Sequence, residues 1–303
     1  MDTFEDILAR YGMNFGVKKV PQWWHDGTNP TNPVFHQTPA VVAALRTDDN
    51  TFLATVGENY GLTPYDKSFE FCKKLIENGV QVIDGAVTRN GARAFLFFRG
   101  ASSFEIAPGD RIENVFYIIA SHDMSSEIEV KMAPRRTKTG QLMPTDIQRN
   151  KFKFRFRHSS QVQKHLDKAE ATLAHAQADF EDFEESVRSL SLVKLTPHQA
   201  KTYYETIFGE YGKHKRTDNI IDEMMKKYQY GVDSQIPAFR GTMFGAYMAI
   251  VQWAEERKVK RPKRISERDA RIESALIGDA AKKKLVALST AYGMVEAFGG
   301  FNQ

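Results

Sequence analysis

Residues Lys151-Phe152-Lys153-Phe154-Arg155-Phe156-Arg157-His158 alternate cation and phenylalanine with a period of two. A β-strand points successive side chains to opposite faces, so a strand here sets Lys151, Lys153, Arg155 and Arg157 on one face and the three rings on the other. A helix would scatter both types around its cylinder, and the strand reading is the better one. Same-face residues repeat at about 6.7 Å, twice the rise per residue, close to the phosphate spacing of a stretched single strand. A half-buried strand with a solvated charged face is the alternative.

The surrounding segment decides between them on charge. From Lys131 to Arg157 stand Lys131, Arg135, Arg136, Lys138, Arg149, Lys151, Lys153, Arg155 and Arg157, nine cations against Asp146 alone. That segment is +8 in a chain of net charge +4, so the remainder sums to −4. A concentrated basic patch on a slightly acidic body points to a polyanion, and nucleic acid is the commonest one.

At Ser159 the periodicity changes. Val162, Leu166, Ala169, Leu173, Ala176, Phe180, Phe183, Val187 and Leu190 recur at alternating spacings of four and three, the seam of one long helix. Its length would be about 43 Å at the helical rise, too long to bury itself alone. Ala281, Leu285, Leu288, Tyr292 and Val295 show the same spacing. The partner is therefore either this second seam, antiparallel and within the chain, or another copy in an intermolecular coiled coil.

The other elements follow from their punctuation. A short helix spans Phe4 to Arg10. Pro21 to Pro39 reads as an irregular arm on its proline, glycine and asparagine content; its Trp23-Trp24 pair either pins the loop to the core or stacks on bases. Strands are expected at Ala40–Leu45 and Phe52–Val56 around a turn, then a helix capped by Ser68 and stopped at Gly79. Further strands are expected at Val80–Val87 and Arg93–Phe98 around Asn90-Gly91, a strong hairpin signal, then at Ile112–Ala120 and Glu127–Met132. Thr196-Pro197 opens a helix to Phe208, another runs from Asp218 to Tyr228, and the stretch Gly241 to Trp253 is apolar nearly all round and should be buried. A second cationic cluster, Arg257 to Arg264, is soon offset by acids. The expected class is α+β, residues 1–158 a mainly antiparallel sheet domain ending in the basic strand and 159–303 a helical region with one long helix.

Chemistry is conspicuous by its sparseness. No glycine loop with a lysine cradles a phosphate, and no G-x-G-x-x-G opens a helix. His122-Asp123 has no nucleophile in sequence reach, and Glu127 with Glu129 fits a solvated strand face better than a nuclease metal pair. The lone Cys72 excludes an internal disulfide and reads as a buried structural thiol. No catalytic residue, metal or cofactor is expected. With no apolar run of membrane-spanning length and no signal-peptide pattern, a cytoplasmic location and no membrane partner are expected.

Phe156-Arg157-His158-Ser159-Ser160 before a long Ala/Leu helix, the Gly241–Trp253 stretch, Ala40–Asp48 with Leu53–Tyr60, and Gly109-Asp110 leading to Ala120-Ser121-His122-Asp123 together resemble the phage/plasmid-like family known as domain of unknown function 932, over about Met13 to Trp253. Where that family's pattern has Cys-x-Asn-Thr after the arginine-rich strand, this chain has Arg135-Arg136-Thr137-Lys138-Thr139-Gly140. The resemblance implies a role in replication or recombination of mobile DNA. The order of a sheet with a basic strand followed by long helices is also similar to RecT-type single-strand annealing proteins, at the level of architecture. The expected function is non-enzymatic single-stranded DNA binding and annealing, with RNA as a possible strand and a homo-oligomer larger than a dimer as the working form. The alternatives are a phage protein that binds a host factor, and then a nuclease.

Overall fold

The computed structural model describes residues 2–27, 31–143, 154–156, 163–259 and 265–297. Helix α1 (Phe4–Arg10) opens with a capping box in which Thr3 and Asp6 each satisfy the other's backbone N–H. Strands β1 (Val17–His25), β2 (Phe35–Arg46) and β3 (Phe52–Gly57) form an antiparallel sheet in that order. The expected irregular arm is therefore strand over most of its length. Proline is tolerated there because β1 is an edge strand, with β2 as its one neighbour in the sheet, and needs no N–H on its outer side.

The pairing of β3 with β2 covers only Val41 to Leu45. Beyond it, Trp23, Trp24 and His25 pair with Gln37, His36 and Phe35 alone, so this end is a two-stranded ribbon. A register break between Pro21 and Trp23 and the positive φ of Ala40 (60°) mark where the ribbon leaves the three-stranded part.

The single helix expected after Ser68 is split into α2 (Tyr65–Ser68) and α3 (Cys72–Glu77), with Ser68 ending the first instead of capping the second. Phe69 and Phe71 between them are both buried, and residues two apart do not share a helical face. Gly79, at φ 85°, ends α3 as expected.

The second sheet runs β4 (Gln81–Thr88), β5 (Arg93–Ala107), β6 (Asp110–Ser121), β7 (Ile128–Met132), β9 (Phe154–Phe156), with β8 (Arg135–Arg136) paired to β6. Its neighbouring pairs are antiparallel. The start of β5, Arg93 to Phe98, and the end of β6, Asn114 to Ser121, which pair with each other, are buried residue after residue, because both faces of the sheet are covered there. On one face Phe98, Phe116 and Ile118 pack with Leu8, Phe69, Leu75 and Val56 of the N-terminal elements. On the other, Phe97, Val115, Tyr117 and Ile119 pack with Leu276.

Leu276 belongs to the helical region, α4 (Gln163–Leu192), α5 (Pro197–Phe208), α6 (Lys215–Tyr230), α7 (Met243–Glu256), α8 (Glu267–Leu276) and α9 (Asp279–Ala297). The largest core centres on α7, which is apolar around its circumference and buried as expected. The seam residues Phe180, Phe183, Val187 and Leu190 of α4 join that core together with Ala287, Leu288, Ala291 and Val295 of α9. This half of the seam is thus satisfied within the chain. Phe104, Ile112 and Met143 bring the sheet side into the same core.

Buried charge fastens the helices to the sheet. Glu273 of α8 accepts from the Thr88 hydroxyl at 2.9 Å and from Arg89 Nε and Nη2 at 2.8 Å, and lies 3.2 Å from Arg93. Lys284 of α9 donates to Glu255 of α7 and to the Leu142 carbonyl. Among the described residues no helix is long and apolar enough to cross a membrane.

Candidate nucleic-acid interface

Of the alternating stretch, Phe154–Phe156 are described, and among the described residues they form the outermost strand of the second sheet. β9 pairs with β7, setting Phe156 across from Ile128, Arg155 across from Glu129 and Phe154 across from Val130. Ile128, the residue paired with Phe156, belongs to the core beneath this sheet. The strand expected from the alternation is present over these three residues. Lys151, Lys153, Arg157 and Arg149 lie outside the described residues, as do Val162 of the seam and Lys260 to Arg264 of the second cationic cluster.

The remaining predicted cations part company. Lys131 sits on β7 with its ammonium 3.1 Å from Glu129. Arg135 on β8 lies 2.9 Å from Glu113. Lys138 is exposed in the turn after β8. Arg136 is 1% exposed; it donates to Asp110 at 2.8 Å and to Asp233 at 2.8 Å, beneath the Phe239 ring. Burial opposes its charge, but the hydrogen bonds to the two carboxylates outweigh this and hold its pKa above the ordinary arginine value. Arg136 is therefore a correction: it joins the β5–β6 turn to the segment before α7 and is closed to a phosphate. Neighbouring Arg135 and Arg136 point to opposite faces, as a strand requires, and only one of those faces is wet.

The tryptophan pair was expected chiefly as an anchor to the core, and the structure reverses that. Trp23 and Trp24 are 56% and 51% exposed, and Phe35 across the ribbon is 59% exposed. By register Trp24 shares a face with His36, the rings stacked at 4.8 Å, while Trp23 shares the opposite face with Gln37, His25 and Phe35. Both faces of the ribbon thus present aromatic rings to solvent. The sequence signal was there in the tandem tryptophans; what hid their setting was Pro21 and Pro39, which read as loop.

Other candidates are accounted for by packing. Cys72 is buried and its thiol is pushed well above the ordinary value by that burial, which makes it a poor nucleophile. His122 is buried with its ring 4.2 Å from that of Tyr65. Among the described residues no group of three or more His, Cys, Asp or Glu is placed to hold a metal ion.

The fold is that of an α+β protein whose second sheet is covered on both faces and, among the described residues, ends at β9. The family described as domain of unknown function (DUF932) matches residues 52–276, and the chain belongs to it. The matched stretch contains the whole basic segment and begins after the aromatic ribbon. No curated protein and no solved structure matches the chain.

Proposed function

We propose that this protein binds single-stranded DNA along its basic strand and promotes the annealing of complementary strands, without catalysing a covalent step, in the replication or recombination of a phage or plasmid. The observation that carries the reading is that Phe154-Arg155-Phe156, the described part of the cation–phenylalanine alternation, is the outermost strand of a sheet, β9 against β7. Continued along a strand, the same alternation would set its phenylalanines on one face and its cations on the other, a rigid row of charge. Of the other cations in the segment, Lys138 is exposed, whereas Lys131 and Arg135 already face carboxylates. Cations that hold only the backbone leave base edges open to a second strand, so binding is sequence-tolerant and strongly dependent on salt.

The test is a salt titration of binding to an unstructured oligonucleotide, with duplex of the same sequence as control. Tight binding at low salt that falls steeply with salt, and preference for the single strand, support the proposal. Absence of binding at low salt would shift the reading to a partner protein, such as a host factor met by the basic patch. Metal-dependent cleavage of the bound strand would shift it to a nuclease.

A further inference from the structure

Trp23, Trp24 and Phe35 stand half exposed where β1 and β2 pair only with each other, and clustered exposure of large rings marks an interaction surface. Trp24 shows what shape of partner suits the ribbon. One side of its ring is stacked on His36, at 4.8 Å between centres and an interplanar angle of 28°, and about half of the residue is still in water. A flat ring laid on the open side would continue that stack. Aromatic rings favour such offset, near-parallel contacts, and every nucleobase has a face suited to them.

Charge selects the same class of partner. From Val17 to Arg46 the sequence has Lys18, Lys19 and Arg46 against one acid, Asp26. Arg46 is matched by Asp48 in the turn after β2, and Asp26 lies 3.7 Å from His36. Lys18 and Lys19 donate to the Asn50 side-chain oxygen and the Glu58 backbone carbonyl, both uncharged acceptors, so neither lysine is neutralised by these bonds. Lys19 precedes Trp23 by four residues on the same strand, about 13 Å at the rise of a strand, within reach of a short run of nucleotides. Cations beside exposed aromatic rings are the combination that holds single-stranded nucleic acid, the cations taking phosphates and the rings taking bases. A lipid surface suits the ribbon less. A hairpin entering a bilayer leads with its turn, and the residues joining β1 to β2 include Asp26, Thr28, Asn29, Thr31 and Asn32, polar groups that are costly to bring into hydrocarbon.

We infer that the β1–β2 ribbon is a second contact of the bound single strand, with Trp23, Trp24 and Phe35 stacking on its bases while Lys18 and Lys19 hold neighbouring phosphates. This rests on the reading of the protein as a single-strand binder and adds to backbone contacts a contact made through the faces of bases. Stacking takes the face of a base and leaves its pairing edge open, so the ribbon is compatible with annealing. Because each base has such a face, the contact is tolerant of sequence.

The test uses the full chain and two probes of equal length, a thymidine oligonucleotide and an abasic strand with the same phosphates and no bases. At low salt the wild type should bind the thymidine strand about tenfold or more tightly than the abasic one, and the first probe alone should quench its tryptophan emission. Trp23→Ala with Trp24→Ala should weaken binding of the thymidine strand by about tenfold or more and leave binding of the abasic strand as it was. Its salt slope should match the wild type, since no phosphate contact is lost. The emission that remains comes from Trp253, which is buried, and should respond to neither probe. If circular dichroism shows that this variant does not fold, the two probes on the wild type still decide. Equal binding of both probes with unmoved emission would overturn the inference, and so would a folded variant that binds the thymidine strand as the wild type does. Emission that answers only to vesicles of phosphatidylcholine and phosphatidylglycerol would also overturn it and assign the rings to a lipid surface. Failure of the underlying reading is a different result: a wild type that binds neither probe at low salt removes single-strand binding altogether, and the ribbon contact with it.

Discussion

Arg136 and Asp110 are both almost wholly buried, and each is the other's counter-charge. Arg136→Met would leave the Asp110 carboxylate inside the protein without its cation, a change that costs about 3–5 kcal/mol when one member of a buried pair is removed. Urea denaturation should show that loss, while the folded fraction binds DNA with an unchanged salt slope. Glu273 makes a second prediction. Burial alone would raise its pKa, but hydrogen bonds from Arg89 and Thr88 and the charge of Arg93 hold it below the ordinary glutamate value of 4.5. The folded state therefore keeps this carboxylate ionised at pH values where the unfolded chain takes up a proton. Its contribution is complete above 4.5 and is lost as pH falls through the folded-state value. Glu273→Gln should be less stable than the wild type at pH 7 and should lose less further stability on acidification below 4.5. At this scale the sequence told which residues are charged. It did not tell which charges are buried, because Asp110, Asp233 and Glu273 are brought to their arginines from 26 to 184 residues away.

Elements with strong local signals were legible. The Thr196-Pro197 start of α5, with Gln199 completing its capping box, and the Asn90-Gly91 turn between β4 and β5 are set by short-range chemistry that tertiary packing had no reason to override. The elements that were misread are those in which packing did override it. Pro21 and Pro39 suggested a loop, and the edge position of β1 together with the register break made strands of their flanks. The phenylalanines at 69 and 71 broke the helix that Ser68 suggested. Helix α7 combines both influences. Its Thr242 cap is a local signal, but Gly245 answers to packing against the segment that leads into the helix: a Cβ there would stand 1.9 Å from the Phe239 carbonyl oxygen. Gly245→Ala should therefore destabilise the protein by about 1–3 kcal/mol, the usual range for overpacking, although alanine is the better helix former. A variant as stable as the wild type in thermal denaturation would mean that the backbone before α7 yields freely.

Across the whole molecule, the change of periodicity near Ser159 was a sound guide to secondary structure, since sheet precedes it and helices follow. It was a poor guide to packing. The largest core takes residues from both sides of that point, and the part of the seam from Phe180 to Leu190, whose partner was either the second seam in the chain or another copy, is buried in it with residues of α9. The exposed aromatic ribbon, by contrast, was announced by no periodicity. The proposed DNA site was the more legible feature because it is local, one strand with a period of two. The most direct measurement of that claim is the salt dependence of single-strand binding by a Lys153→Ala, Arg155→Ala variant. Each phosphate no longer neutralised should make the slope of log affinity against log salt shallower by about 0.7 for a single strand. The account predicts a folded protein of reduced affinity whose slope is smaller by about 1.4; a folded variant with unchanged affinity and slope would show the basic strand to be a solvated face and contradict it.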